Sequence, residues 1–174
     1  MNKNILIYIL LLVTNAFYAQ ATFSEFENKD GINAVVISKK MFDLMSKVKV
    51  TTSDHDTQKY MELIKRIDYL QVFTTQSISN KLQMKSAVEK YSKEKNLEEI
   101  MRLNENDKNI RLLIKSIDST TRLKEMVLFI EENKNKETIL MSILGNFDLN
   151  EIPILTEKME IPVGMELKKA TSKK

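Results

Sequence analysis

Leu97-Glu-Glu-Ile-Met-Arg-Leu103 is the stretch on which the fold turns. Leu97, Glu99, Met101 and Leu103 alternate with Glu98, Ile100 and Arg102, the period of two that puts successive side chains on opposite faces of a strand. Downstream, apolar runs of strand length recur at Ile110–Ser116, Leu123–Ile130 and Thr138–Leu144. Short polar clusters separate them at Asn104–Lys108, Asp118–Thr121 and Asn133–Lys136. Four strands joined by short turns predict an antiparallel meander, with Gly145 expected to end the last strand.

Upstream the period is helical, with two interruptions. Asp30-Gly31 marks a turn, and Asn33–Ser38 reads as a strand because β-branched Val35, Val36 and Ile37 suit a pleated surface. Ser38 is placed to cap a helix in which Met41, Leu44, Met45 and Val48 share a face. After a polar loop at Thr51–Asp56, the spacing of Tyr60, Leu63, Ile64 and Ile67 predicts a second helix. Tyr69–Thr74 reads as another strand, and Ser77 or Ser79 opens a third helix carrying Leu82, Val88 and Tyr91 to about Lys95. Beyond the meander, Asn150 is expected to cap a final helix, with Pro153 in its first turn, where a missing N–H is tolerated. Ile152, Leu155 and Met159 would face inward, and Ile161-Pro-Val-Gly164 would stop it. The expectation is an α+β fold: a four-strand C-terminal meander plus one or two N-terminal strands, packed with about four helices. Strands do not alternate singly with helices, which disfavours a doubly wound nucleotide fold.

The first 21 residues read as a secretory signal peptide. Lys3 supplies the basic start, Ile5–Val13 is an unbroken apolar run, and Ala19-Gln-Ala21 offers small residues for cleavage after Ala19 or Ala21. The run is far shorter than the roughly 20 residues that cross a bilayer as a helix, so no integral span is expected once the signal is removed. Residues 22–165 then form a single α+β domain, of ordinary domain size. Residues 166–174, with Lys168, Lys169, Lys173 and Lys174, form a basic tail expected to be disordered and solvated. The expected destination is the periplasm or the extracellular medium.

Composition removes several chemistries. The chain has no cysteine, which rules out disulfides, thiolate metal sites, cysteine nucleophiles and a cysteine-borne lipid anchor. A hydrophobic share of 43% suffices for a core without such staples. The net charge of +3 falls by one when Lys3 leaves with the signal. Acids and bases are interspersed, unlike the clustered basic face of a nucleic-acid domain, so no nucleic-acid partner is expected. Gly31, Gly145 and Gly164 stand too far apart for a phosphate-cradling loop. A serine triad needs a histidine base, and His55 is the one histidine, with no glycine-flanked serine for it to activate. Ser53-Asp-His-Asp56 reads as a helix start, with Ser53 and Asp56 three positions apart as in a capping box, rather than as a metal site. The adjacent pairs Glu98-Glu99 and Glu131-Glu132 point to opposite faces of a strand and cannot share a substrate there. The ten methionines are dispersed over nearly every element and read as adaptable core filler. No catalytic residue, cofactor or metal ligand is assigned.

The last hairpin has a functional shape. Met126, Leu128 and Ile130 on one strand and Ile139, Met141 and Ile143 on the other form an apolar face. Either helices cover it as core, or it receives an envelope protein or a second copy of the chain. The leading expectation is thus a non-enzymatic, exported interaction module of the cell envelope. A hydrolase or lyase built on cross-strand carboxylates is the alternative, identified by a polar pocket holding acids without salt-bridge partners. A third possibility is an apolar small-ligand binder, identified by an empty apolar cavity.

Together with the signal, Val35-Val-Ile-Ser-Lys-Lys-Met-Phe42, Leu63-Ile-Lys-Arg-Ile-Asp68, Leu97-Glu-Glu-Ile-Met-Arg102 and Ile139-Leu-Met-Ser-Ile-Leu-Gly145 resemble a bacterial family of small exported or lipid-anchored proteins, domain of unknown function 4252. The resemblance covers essentially the whole mature chain and implies export. It brings no catalytic residues. Lipid-anchored relatives would carry a cysteine after the signal, which this chain lacks.

Overall fold

A computed structural model of the chain describes residues 22–48, 54–105, 108–117, 121–132 and 137–161. The segments read as a signal peptide (residues 1–21) and as a basic tail (166–174), together with Ser53 and the central turn residues 118–120 and 133–136, lie outside the described residues.

The architecture is α+β, with six antiparallel strands in one sheet and four α-helices among the described residues. In chain order these are β1 (Asn33–Ser38), α1 (Lys39–Ser46), α2 (His55–Ile64), β2 (Ile67–Thr75), α3 (Ile78–Lys95), β3 (Glu98–Glu105), β4 (Lys108–Ser116), β5 (Arg122–Glu132), β6 (Thr138–Asp148) and α4 (Ile152–Lys158). The spatial order is β1-β2-β6-β5-β4-β3. The meander β3–β6 is present as expected, and β6 docks on β2, with Val72 opposite Met141. Two N-terminal strands therefore complete the sheet, and the hairpin β5–β6 sits at its centre.

Both faces of the sheet are covered. On one face, Phe42 of α1, Leu63 and Ile64 of α2 and Ile152 and Leu155 of α4 pack on Leu70, Leu112, Leu128 and Met141. On the other, Met84 and Val88 of α3 join Phe23 and Phe26, in and beside a 3₁₀ turn at Ser24–Phe26, over Phe73, Leu113, Phe129 and Leu140. The Phe26 ring meets Phe73 edge-on with centroids 5.8 Å apart, the geometry that aligns a positive ring edge with a negative face.

Several local expectations need correction. In α1 the inward residue is Phe42, while Met41 is 50% and Leu44 54% exposed, and Val48 is exposed beyond the helix end. A helix of two turns at the sheet margin needs one anchor, and the larger ring takes it. Of the expected face only Met45 packs on the core. The cap of α2 is Asp54, whose carboxylate accepts the Thr57 N–H at 3.1 Å. Ser77 caps α3 as expected, but Leu82 points outward and Met84 takes the inward place. Asp148 replaces Asn150 as the C-terminal cap. It forms a capping box with Glu151, whose carboxylate accepts the Asp148 N–H at 2.8 Å.

Gly145 does not end β6, which continues to Asp148. It lies opposite Ile67, just where β2 begins. A Cβ there would stand 2.9 Å from the Ile67 Cα and closer still to the Arg66 carbonyl oxygen, with φ at +157°. Only glycine permits this close approach of two backbones. The Asn146 N–H uses it to donate to the Arg66 carbonyl at 2.9 Å.

Candidate functional site

The hairpin face expected to bind a partner lies in the core. Met126, Leu128, Ile130, Ile139, Met141 and Ile143 are all buried, Ile139 the most exposed of them at 9%, and all six pack beneath α1, α2 and α4. The alternative reading, helices over both faces, describes the molecule. Of the paired acids, Glu98 is exposed and the other three are engaged. Glu99 binds Arg102 at 2.5 Å and Arg111 at 2.7 Å. These bonds, Arg102's foremost, hold its carboxyl below the usual range against the opposing effect of burial. Glu131 binds Lys85 and Glu132 binds Lys108. His55 opens α2 and is exposed, and no group of three histidine or carboxylate side chains suited to a metal occurs among the described residues.

A different acid stands out. Glu125 interrupts the apolar row of β5, sharing its parity and its face with Val127 and Phe129. It is 5% exposed. Its Oε1 is buried and has no hydrogen-bond partner. The Tyr91 phenol, on α3, stands close enough to the carboxyl group to favour its ionised form. Burial pushes the Glu125 carboxyl up against the lowering effects of Tyr91, Lys115, Lys95 and Lys124. Burial and the neighbouring carboxyl push the Tyr91 phenol far up as well, so that it keeps its proton and remains a donor. On its other side the Tyr91 hydroxyl lies 3.4 Å from that of Thr22.

These groups wall a cleft of about 880 Å³ between the end of α3 and the far ends of β4, β5 and β6. Its lining is electrically balanced, with Lys95, Lys115 and Lys124 against Asp68, Glu94 and Glu125. Gly145 and Asn146 form part of the wall, so the close approach of β2 and β6 helps shape it. Lys115 is steadied by donating to the Lys95 carbonyl at 3.0 Å. Sequence reading missed the cleft. Its one legible signal is an acid placed in an apolar strand row.

The margins of the sheet form the second surface of interest. β3 carries Glu98, Arg102 and Glu105 and breaks register between Glu99 and Met101, two devices that discourage edge pairing. β1, Asn-Ala-Val-Val-Ile-Ser, has no charge, no proline and an uninterrupted register with β2. Among the described residues it pairs with β2 alone. Val35 and Val36, on opposite faces of the strand, are both exposed, as are Met41 and Leu44 on the adjoining α1.

The model of the family described as Domain of unknown function (DUF4252) matches residues 26–155. The chain belongs to this family. Neither the curated proteins nor the solved structures returned a match. The DUF4252 region runs from the Ser24–Phe26 turn into α4 and so includes all six strands, the β1 edge and Glu125. Thr22, at the rim of the cleft, precedes it. No helix among the described residues is long and apolar enough to cross a membrane.

Proposed function

We propose that this DUF4252 protein is a non-enzymatic, exported module of the cell envelope that associates with a second copy of itself through β1. The supporting observation is the contrast between the two sheet edges. A strand with free N–H and C=O groups along one side is a template for another strand. Here that template is apolar on both faces and continues into the exposed Met41 and Leu44. Antiparallel pairing of Asn33–Ser38 with its own copy brings Val35 beside Val36 and places no like charges opposite one another. It also brings the Lys39-Lys40 flank of one copy toward Asp30 of the other. An isologous contact of this kind closes as a dimer and does not propagate.

Light scattering on the chain beginning at Thr22 tests this. The expected species is a dimer at about 100 µM, with Val36→Lys shifting the dissociation constant at least tenfold, about 1.4 kcal/mol. The melting temperature of the isolated protomer should be unchanged, because position 36 is outside the core. A monomeric wild-type protein at that concentration overturns the reading. For export, the pattern of Lys3, Ile5–Val13 and Ala19–Ala21 is the support. N-terminal sequencing of protein recovered from the envelope or medium should begin at Gln20 or Thr22. A cytoplasmic protein retaining residues 1–21 contradicts it. The hydrolase or lyase reading keeps one acid of the kind it called for, Glu125, which lines the cleft with a carboxyl oxygen that has no hydrogen-bond partner. The other acids of that lining, Asp68 and Glu94, are each paired with a lysine, so no second unpaired carboxyl joins it among the described residues of the cleft.

A further inference from the structure

The cleft carries an inference independent of the β1 edge. A buried carboxylate oxygen without a donor is uncommon in folded proteins and calls for an explanation. An ionised carboxyl offers about four acceptor positions, and at Glu125 the described residues bring the Tyr91 phenol near them while leaving Oε1 without a partner. Glu125 is itself part of the cleft lining, and the terminal torsion of a carboxyl group is soft. A hydrogen-bond donor that is also cationic would satisfy the carboxyl best, because it returns the charge stabilisation that burial removes. The lysines of the wall favour the opposite charge. Lys124 and Lys115 stand close enough to Glu125 to influence its ionisation. A ligand meeting both demands carries an ammonium and an anionic group a few bonds apart. A volume of about 880 Å³ falls in the ordinary range for small-molecule sites.

We infer that the cleft binds a zwitterionic small molecule of the amino-acid or short-peptide class, its ammonium donating to the Glu125 carboxyl and its carboxylate meeting Lys124 and Lys115. Glu125 is the anchor, Tyr91 positions its carboxyl group, and Gly145 keeps the wall open by lacking a side chain.

The same ammonium chemistry has a second source. Cleavage after Ala21 would give Thr22, whose hydroxyl already lies 3.4 Å from that of Tyr91, a free α-amino group. The experiment separates the two. Amide chemical shifts of the full mature chain are followed by NMR during titration with L-alanyl-L-alanine, its N-acetyl derivative and its C-terminal amide. Two forms are used, one beginning at Gln20 and one at Thr22.

The expected result is saturable shifts at Lys115, Glu125, Gly145 and Asn146 with the free dipeptide in both forms. Each blocked dipeptide should bind at least tenfold more weakly, the scale of one charge-assisted hydrogen bond. Glu125→Gln should weaken the free dipeptide by a similar factor while leaving the weak binding of the N-acetyl form unchanged. Lys124→Gln, at an exposed position, should do the converse for the amide, and it keeps the test intact if the Glu125 variant folds poorly. Equal binding of all three probes overturns the inference, as does the absence of saturable shifts up to about 20 mM, far above a millimolar dissociation constant. Binding to the Gln20 form but not the Thr22 form also overturns it, assigning the ammonium position to the chain's own terminus.

Discussion

Beneath α1, α2 and α4 the sheet presents Leu70, Leu112, Leu128, Met141 and their apolar neighbours. Beneath α3 it presents Phe73, Leu113, Phe129 and Leu140, but with Gln71, Thr75, Glu125, Thr138 and Ser142 set among them. Among the described residues, the buried side-chain atoms without partners belong to Gln71, Asn109, Glu125 and Thr138, and strand parity puts all four on the α3 face. On the other side the buried polar residue among the described residues, Thr156 of α4, bonds back to the carbonyls of Ile152 and Pro153. One face is built for stability. The other retains polar groups without partners, which lower stability.

This comparison can be broken by substitution, and the largest effect is expected on the dry face. Met126→Asp places a charge among the fully buried residues under α1, α2 and α4. An unpaired buried charge costs several kcal/mol against a total stability of about 5–15 kcal/mol. The expected outcome is loss of the folded near- and far-ultraviolet circular dichroism. A folded Met126→Asp protein would show that this face is not the core.

Gly145→Ala tests a backbone constraint that belongs to neither face. The added methyl meets the Arg66 carbonyl and Ile67 Cα, at an expected cost of about 3 kcal/mol from strain and overpacking. Urea denaturation should show a lowered midpoint with an unchanged slope. A midpoint within error of wild type would mean that β2 and β6 do not approach as described.

Thr138→Val and Thr156→Val sharpen the contrast between faces. The first removes an unpartnered hydroxyl and should stabilise by about 1 kcal/mol. The second removes a hydroxyl that is already satisfied within its helix and should be near neutral or slightly unfavourable. Equal effects in denaturant melts would erase the distinction.

Glu125→Gln adds a pH signature. Because burial raises the carboxyl above its ordinary value of 4.5, the native state holds this proton at pH values where the unfolded chain has lost it. Stability from this group is therefore complete below about 4.5 and declines as pH rises through the folded value. The variant should match wild type at pH 4 and exceed its melting temperature at pH 7. A difference independent of pH would place the group in an ordinary aqueous environment.

Particular elements show why some of this was legible and some was not. β1 was readable to its exact ends because three β-branched residues stand between a turn and a serine. β3 was readable from its alternation. α1 was placed correctly and faced wrongly, because in two turns the choice between Phe42 and the Met41–Leu44 side depends on what lies opposite. The hairpin residues Met126–Ile143 were recognised as unusually apolar, but whether they met a partner or a helix was not written in them. Glu125 was passed over because a single acid in a strand becomes notable only once its surroundings are known to be dry.

Local periodicity, turn residues and the absence of cysteine, acting through short-range sterics and hydrogen bonding, determined the elements, their class and the chemistries set aside. The tertiary structure alone decided that β6 inserts between β2 and β5, carrying the hairpin to the centre, covering both its faces and leaving β1 at an edge. Pairing across such separations is set by the competition among whole apolar surfaces for burial, and no window of neighbouring residues contains that information.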